Sequence, residues 1–345
     1  MKKFMLYLGL IFAISTVALA QTPSQATTGS ASQNSLTAQD KNISRGHYHV
    51  VHGWPLLPDG FSLGQGTGVG VDSHDNVFVF HRAGRVWAVP FPTEPIQSPT
   101  IMLFDGKTGK LLASWGEGIF IMPHGLTVDR QDNVWVTDVG RHQVFKFSHD
   151  GKLLLTLGER DVPGADGSHF NRPTDVAVSP DGTFYVSDGY RNTRVAKFSA
   201  EGRFLFEWGK KGAGPGEFDL PHGIALDTQG RVYVCDRSNA RVQVFDATGK
   251  FISEWKSQEL GRPYGITIGV DRYVYVVDGG DQPATSPDRA RALKIDQTGK
   301  IMDSFGSFGN YDGQFNLAHD IAVDKNGAVY IIDTRGMRVQ KFIKQ

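Results

Sequence analysis

The chain has a single cysteine, Cys235, in 345 residues, so no intrachain disulfide can hold it together. It carries no net charge, with 36 basic and 36 acidic side chains, which leaves no electrostatic ground for binding nucleic acid or an anionic membrane surface. Beyond the first twenty residues no apolar run reaches spanning length, so no membrane helix is expected there. Cys235 falls within the alternating run RVYVCD (231–236) and reads as a small buried hydrophobe, not a nucleophile. What is plentiful is glycine, at 41 residues. It recurs with Asp and Asn in short clusters between alternating apolar runs, as hairpin turns require.

Residues 1–20 combine a basic start (Lys2, Lys3), an apolar stretch from Phe4 to Val17 and an Ala-Leu-Ala end. That pattern predicts a cleaved secretory signal and an exported protein, and the absence of a cysteine after the cleavage site argues against a lipid anchor. Residues 21–44 are Ser, Thr, Gln and Ala with few large apolar groups, and are expected to form a disordered linker. Residues 45–345 are long enough for one large domain, expected to act as a monomer.

That domain repeats itself. Six copies of an apolar run, a polar turn and a second apolar run begin at residues 66, 123, 173, 221, 263 and 318. A third run and, after another turn, a fourth follow in most copies. Four antiparallel strands at a period of about forty to fifty residues predict an all-β, six-bladed β-propeller. The last copy stops after its third strand, and HYHVVHGW (47–54) stands ahead of the first copy without a partner. The N-terminal stretch is therefore expected to complete the last blade and close the ring.

One register position identifies the site: Thr67, His124, Thr174, His222, Tyr264 and His319, with histidine in every second copy. A single His in a Pro-His-Gly turn is most simply a local hydrogen-bonding choice. Alternation around a ring whose innermost strands line the axis instead brings three imidazoles together, a ligand set with one position open, suited to zinc ahead of iron or copper. Fourteen residues further on stands Asp138, Asp188, Asp236, Asp278 or Asp333, with His81 in the first copy, and this near-regular series reads as scaffold. Just beyond it, Arg82, Arg237 and Tyr190 break the pattern. Two guanidiniums beside a metal suit a substrate carboxylate and a tyrosine there can accept a proton, unless each Arg merely pairs with a neighbouring Asp. The remaining histidines share no register and are read as non-ligands. The loop KKGAGPGEFDLP (210–221) precedes a strand, not a helix, and is rejected as a phosphate loop.

The stretches FHRAGRVW (80–87), MPHGLTVDRQDNVWVTDVGRHQVFK (122–146), HFNRPTDVAVSPDGTFYVSDGY (169–190), LPHGIAL (220–226), CDRSNARVQVF (235–245), LAHDIAV (317–323) and GAVYIID (327–333) resemble the peptidyl-α-hydroxyglycine α-amidating lyases among the NHL-repeat propellers. The resemblance runs from about residue 66 to the C-terminus. It implies zinc on His124, His222 and His319, and catalytic roles for Tyr190, Arg82 and Arg237. It also implies a structural calcium on the backbone carbonyls of Val69 and Leu126 and the carboxylate of Asp320. Leu317 replaces the Met of the family pattern, and Asn171, Arg191, Tyr233 and Val244 stand where the family has disulfide cysteines. No copper monooxygenase unit precedes the lyase-like domain in this sequence, so a hydroxylated substrate is expected to come from elsewhere.

The reading is a zinc lyase that breaks the carbon–nitrogen bond of a peptidyl or N-acyl α-hydroxyglycine to give an amide and glyoxylate. A secreted NHL-type binding module with a structural metal is the alternative of another class. A propeller hydrolase such as a lactonase is a third, against which the three alternating histidines argue.

Overall fold

Each repeat folds into the four-stranded antiparallel sheet that its apolar runs predict. In the second blade the strands are Pro123–Val128, Val134–Asp138, Gln143–Phe147 and Leu153–Leu157. This computed structural model describes residues 44–45, 47–280 and 289–345; the expected signal and nearly all of the expected linker lie outside them. Burial follows strand position. The second strand of every blade is buried along its whole length, as VYVCD is at Val232–Asp236, because neighbouring blades cover both of its faces. Outermost strands such as Phe204–Trp208 alternate between half-buried and exposed, one face on the next blade and one in water.

Among the described residues the hydrophobic core therefore has a wedge at each of the six blade interfaces, with a small seventh cluster of Ile121, Met122 and Val139. Between blades one and two, for example, Phe78 and Phe80 pack with Phe120, Val134, Val136, Phe145 and Phe147. The innermost strands, Gly66–Val71, Pro123–Val128, Asp175–Val178, Pro221–Leu226, Pro263–Ile268 and Ala318–Val323, stand side by side around the axis, the last packed against the first.

The ring closes as the sequence predicts. Tyr48–Val50 pairs antiparallel with the C-terminal strand Arg338–Lys344, His49 opposite Ile343. Tyr48 stacks on Phe305 with ring centroids 4.3 Å apart, and its hydroxyl is 3.1 Å from that of Tyr275. Only three residues of the 47–54 stretch form the strand, and the His47 carbonyl and Val51 amide extend its bonding to Gln345 and Lys341. Trp54 leaves the sheet and wedges between blades six and one, 5.0 Å from the Tyr330 ring and 6.3 Å from that of Phe104. Where the expected linker meets the expected domain, Ser44–Arg45 runs parallel to Asp303 and Ser304 on the outer strand of blade five. The linker thus ends in a sheet, because that outer strand still had an unpaired edge. Among the described residues no helix is long and apolar enough to cross a membrane.

A candidate metal centre at the axis of the ring

A register shift in the innermost strands aims the histidines. In blade two Pro123 lies opposite Asp138 and Leu126 opposite Val136, so His124 and Gly125 together face the single residue Thr137. The same shift falls between Pro221 and Ile224 and between Ala318 and Asp320. A bulge of this kind turns one side chain out of the sheet, here toward the axis. Glycine follows the histidine in two of these bulges because the next blade presses against it. A Cβ on Gly125 would come within 2.4 Å of the Thr174 carbonyl oxygen, and one on Gly223 within 2.6 Å of that of Tyr264.

The carbonyls that crowd those glycines fix the imidazoles. His124 Nδ1 lies 2.7 Å from the Thr174 oxygen, His222 Nδ1 2.9 Å from that of Tyr264, and His319 Nδ1 2.7 Å from that of Thr67. A carbonyl only accepts, so each Nδ1 carries its proton and each Nε2 keeps its lone pair. The ring centroids are 4.8, 4.8 and 4.9 Å apart, and the three candidate ligand atoms lie within 4.8 Å of one another. Burial holds all three imidazoles neutral. His319 is depressed from 6.5 to about 3, first by burial and then by the charge of Arg82. His124 and His222 are pushed well down by burial and then by the charge of a neighbouring histidine. Three neutral imidazoles with oriented partners fit a metal ion with one side open.

That open side faces a cavity of about 290 Å³. The Tyr190 hydroxyl enters it 3.0 Å from His124 Nε2 and 3.4 Å from His222 Nε2. Arg82 is fully buried; its Nε donates to the Pro123 carbonyl at 3.1 Å, its Nη1 to Gln65 at 2.9 Å, and its guanidinium lies 5.0 Å from the Trp87 ring centre. Burial lowers its pKa to about 10, opposed by the negative charge available to Tyr190 and Asp138. These contacts are to neutral groups, so the alternative that Arg82 merely pairs with an Asp fails. Arg237 begins the short 3-10 turn Arg237–Asn239, with its guanidinium 4.1 Å from the centre of the Tyr264 ring. Leu317, expected as the apolar neighbour of the third histidine, lines the same cavity.

Below the histidines a narrow channel is lined by Asp175 and Asp320, from the innermost strands of opposed blades three and six. Each reaches the neighbouring blade: Asp320 accepts the Val69 amide at 3.0 Å, and Asp175 that of Ile224 at 3.1 Å. Burial raises both carboxyl pKa values, and the charge of Asp175 raises that of Asp320 further. Two buried oxygen donors of like charge fit a hard cation such as calcium. Val69 and Leu126 are buried in the adjoining innermost strands of blades one and two. Asp175 did not stand out in the sequence, although it occupies the register of Asp320.

The scaffold reading of the recurring Asp holds. Asp138 accepts the amides of Ile121, Met122, Gly140 and Arg141, and Asp188 and Asp236 bind Arg194 and Arg241 at 3.0 and 2.9 Å. Cys235 is fully buried, and burial raises its thiol pKa well above the usual value, as a structural cysteine requires. Sequence reasoning missed Gln65, Trp87, Thr334 and Arg335, which also line the cavity. Trp87 packs 4.9 Å from the Tyr190 ring on a loop outside the repeat register, where no spacing could reveal it.

Fold and site together define a β-propeller with a buried three-histidine centre on its axis. NHL repeats match residues 120–147, 170–198, 218–245 and 315–342. Peptidyl-alpha-hydroxyglycine alpha-amidating lyase 2 of Drosophila melanogaster is 36% identical over 82% of this chain and 71% of its own length. The chain belongs to the peptidyl-α-hydroxyglycine α-amidating lyase family. Peptidyl-glycine alpha-amidating monooxygenase B of Xenopus laevis is 36% identical over 84% of this chain, which spans only 35% of that longer protein. Among solved structures a streptogramin B lyase shares the fold, with a TM-score of 0.58 at 16% identity, over 86% of this chain and 98% of its own.

Proposed function

We infer that this chain is an exported metal-dependent lyase that cleaves a peptidyl or N-acyl α-hydroxyglycine into an amide and glyoxylate. The observation that carries this reading is the Tyr190 hydroxyl beside two imidazole Nε2 atoms, in a cavity that among the described residues is lined by arginines and by no carboxylate. Zinc, favoured by an all-imidazole site, would supply Lewis-acid polarisation of the substrate hydroxyl when bound.

The chain's own residues do the rest. The Tyr190 oxygen takes the hydroxyl proton. The electron pair of the carbon–nitrogen bond leaves with nitrogen as the carbinol carbon becomes a carbonyl, and the proton returns to the nitrogen. Arg82, held by Pro123 and Gln65, keeps a fixed positive charge near Tyr190. Arg237, braced on Tyr264, holds the substrate carboxylate. Asp320, with the Val69 and Leu126 carbonyls, would hold a structural calcium below. The export assignment rests on the signal pattern of residues 1–20. Glyoxylate release from N-acetyl-α-hydroxyglycine by the metal-loaded protein tests the reading; no release above the uncatalysed rate would end it.

A further inference from the structure

The repeat register places a residue that the reaction outlined above leaves unused. One step past the recurring Asp or His81, blades one and four carry Arg82 and Arg237, opposed across the ring. Two steps past it, blades one, two, four and five carry Ala83, Gly140, Ser238 and Gly280, too short to reach the axis. Blade three carries Tyr190 there, and the opposed blade six carries Arg335. Both line the cavity.

Arg335 is built for a ligand more than for the fold. Its side chain is exposed, and among the described residues it has no hydrogen-bond or ion-pair partner. The nearby carboxylate that could have neutralised it, Asp333, is spent on the amides of Asn316, Leu317 and Gly336 and lies 3.6 Å from Arg338. The backbone that carries it is nevertheless pinned: Thr334 donates its amide to Leu317 at 3.0 Å and its hydroxyl to Gly66 at 2.7 Å. A fixed turn thus holds this guanidinium at the edge of a cavity that, among the described residues, is lined by no acidic group.

We propose that Arg335 is a specificity-determining residue that grips the carboxylate of the α-hydroxyglycine from blade six. It does so together with Arg237, which leans over Tyr264 on the intervening blade. Tyr190 and Arg335 line one cavity from opposed blades, so a substrate whose hydroxyl sits beside Tyr190 has Arg335 and Arg237 available to its carboxylate. Two planar forks then select a substrate with a free α-carboxylate and reject its amide or ester.

This deepens the lyase reading and rests on it for the identity of the substrate, so the test has two parts. The full protein, metal-loaded, is compared with Arg335→Ala and Arg335→Lys on N-acetyl-α-hydroxyglycine, and by calorimetry on the unreactive N-acetylglycine. The expected result for Arg335→Ala is a KM raised about tenfold or more, as loss of a charge-assisted contact implies. kcat should stay within about twofold of wild type, the thermal midpoint should not move, and lysine should restore part of the loss. Affinity for N-acetylglycine should fall in parallel. An unchanged KM in an active enzyme, or affinities for N-acetylglycine that are equal or undetectable in both proteins, overturns the role of Arg335. A wild type that releases no glyoxylate, yet binds N-acetylglycine through Arg335, sinks the lyase reading and leaves the carboxylate grip standing.

Discussion

His124 donates its Nδ1 proton to the carbonyl oxygen of Thr174 across 2.7 Å, and this bond between neighbouring blades decides which nitrogen faces the axis. Gly125 makes the approach possible, since a Cβ there would lie 2.4 Å from that oxygen. Gly125→Ala should push the Thr174 carbonyl away, free the imidazole to rotate, and weaken metal binding by about ten- to a hundredfold. Metal affinity measured by competition with a chelator checks this. Wild-type affinity in the variant would mean that the carbonyl does not orient the ring.

Tyr190→Phe removes the one hydroxyl placed 3.0 Å from His124 Nε2 and keeps the packing against Trp87. Bound metal should stay at the wild-type level while kcat for glyoxylate release falls by about a hundredfold or more, as loss of a general acid–base group does. Unchanged kcat would move the proton transfer to another group.

The positions of the histidines were legible because a side chain at a fixed register, in every second copy, needs only the fold's symmetry to place it. Their partners were not, because Thr67, Thr174 and Tyr264 act through backbone carbonyls that every residue has. Closure by Tyr48–Val50 was legible from an unfinished blade and an unpartnered apolar stretch. The parallel pairing of Ser44–Arg45 was not, because two polar residues carry no strand pattern. Arg335 could have been found beside Tyr190, since both stand two residues past the recurring Asp.

The acid limb of stability follows from the neutral histidines. His319 titrates near 3 in the folded chain against an ordinary value of 6.5, so the unfolded chain takes up protons first as pH falls. The stability this group contributes is complete above about 6.5 and is lost as pH drops toward 3. The metal-free protein should therefore unfold at progressively lower temperature below that upper value, and His222→Ala, with one such group fewer, should show a shallower decline. Parallel declines in thermal melts across that range would contradict the neutral, buried state of His222.

Tyr48 fastens the closing strand through its stack on Phe305 and its contact with Tyr275. Tyr48→Ala should cost about 3 kcal/mol of stability, in the range of other large-to-small core substitutions, without altering metal affinity. Denaturant unfolding of wild type and variant measures it. A loss below about 1 kcal/mol, the size of an ordinary surface change, would mean that the ring is held shut elsewhere.

The most direct test of the metal-centred lyase is glyoxylate release from N-acetyl-α-hydroxyglycine by wild type and His222→Ala, with bound metal quantified in both. The result expected is one zinc per chain at the histidine site and release in the wild type, with both lost together in the variant. A variant that loses the metal but releases glyoxylate at the wild-type rate would contradict the role assigned to the three histidines.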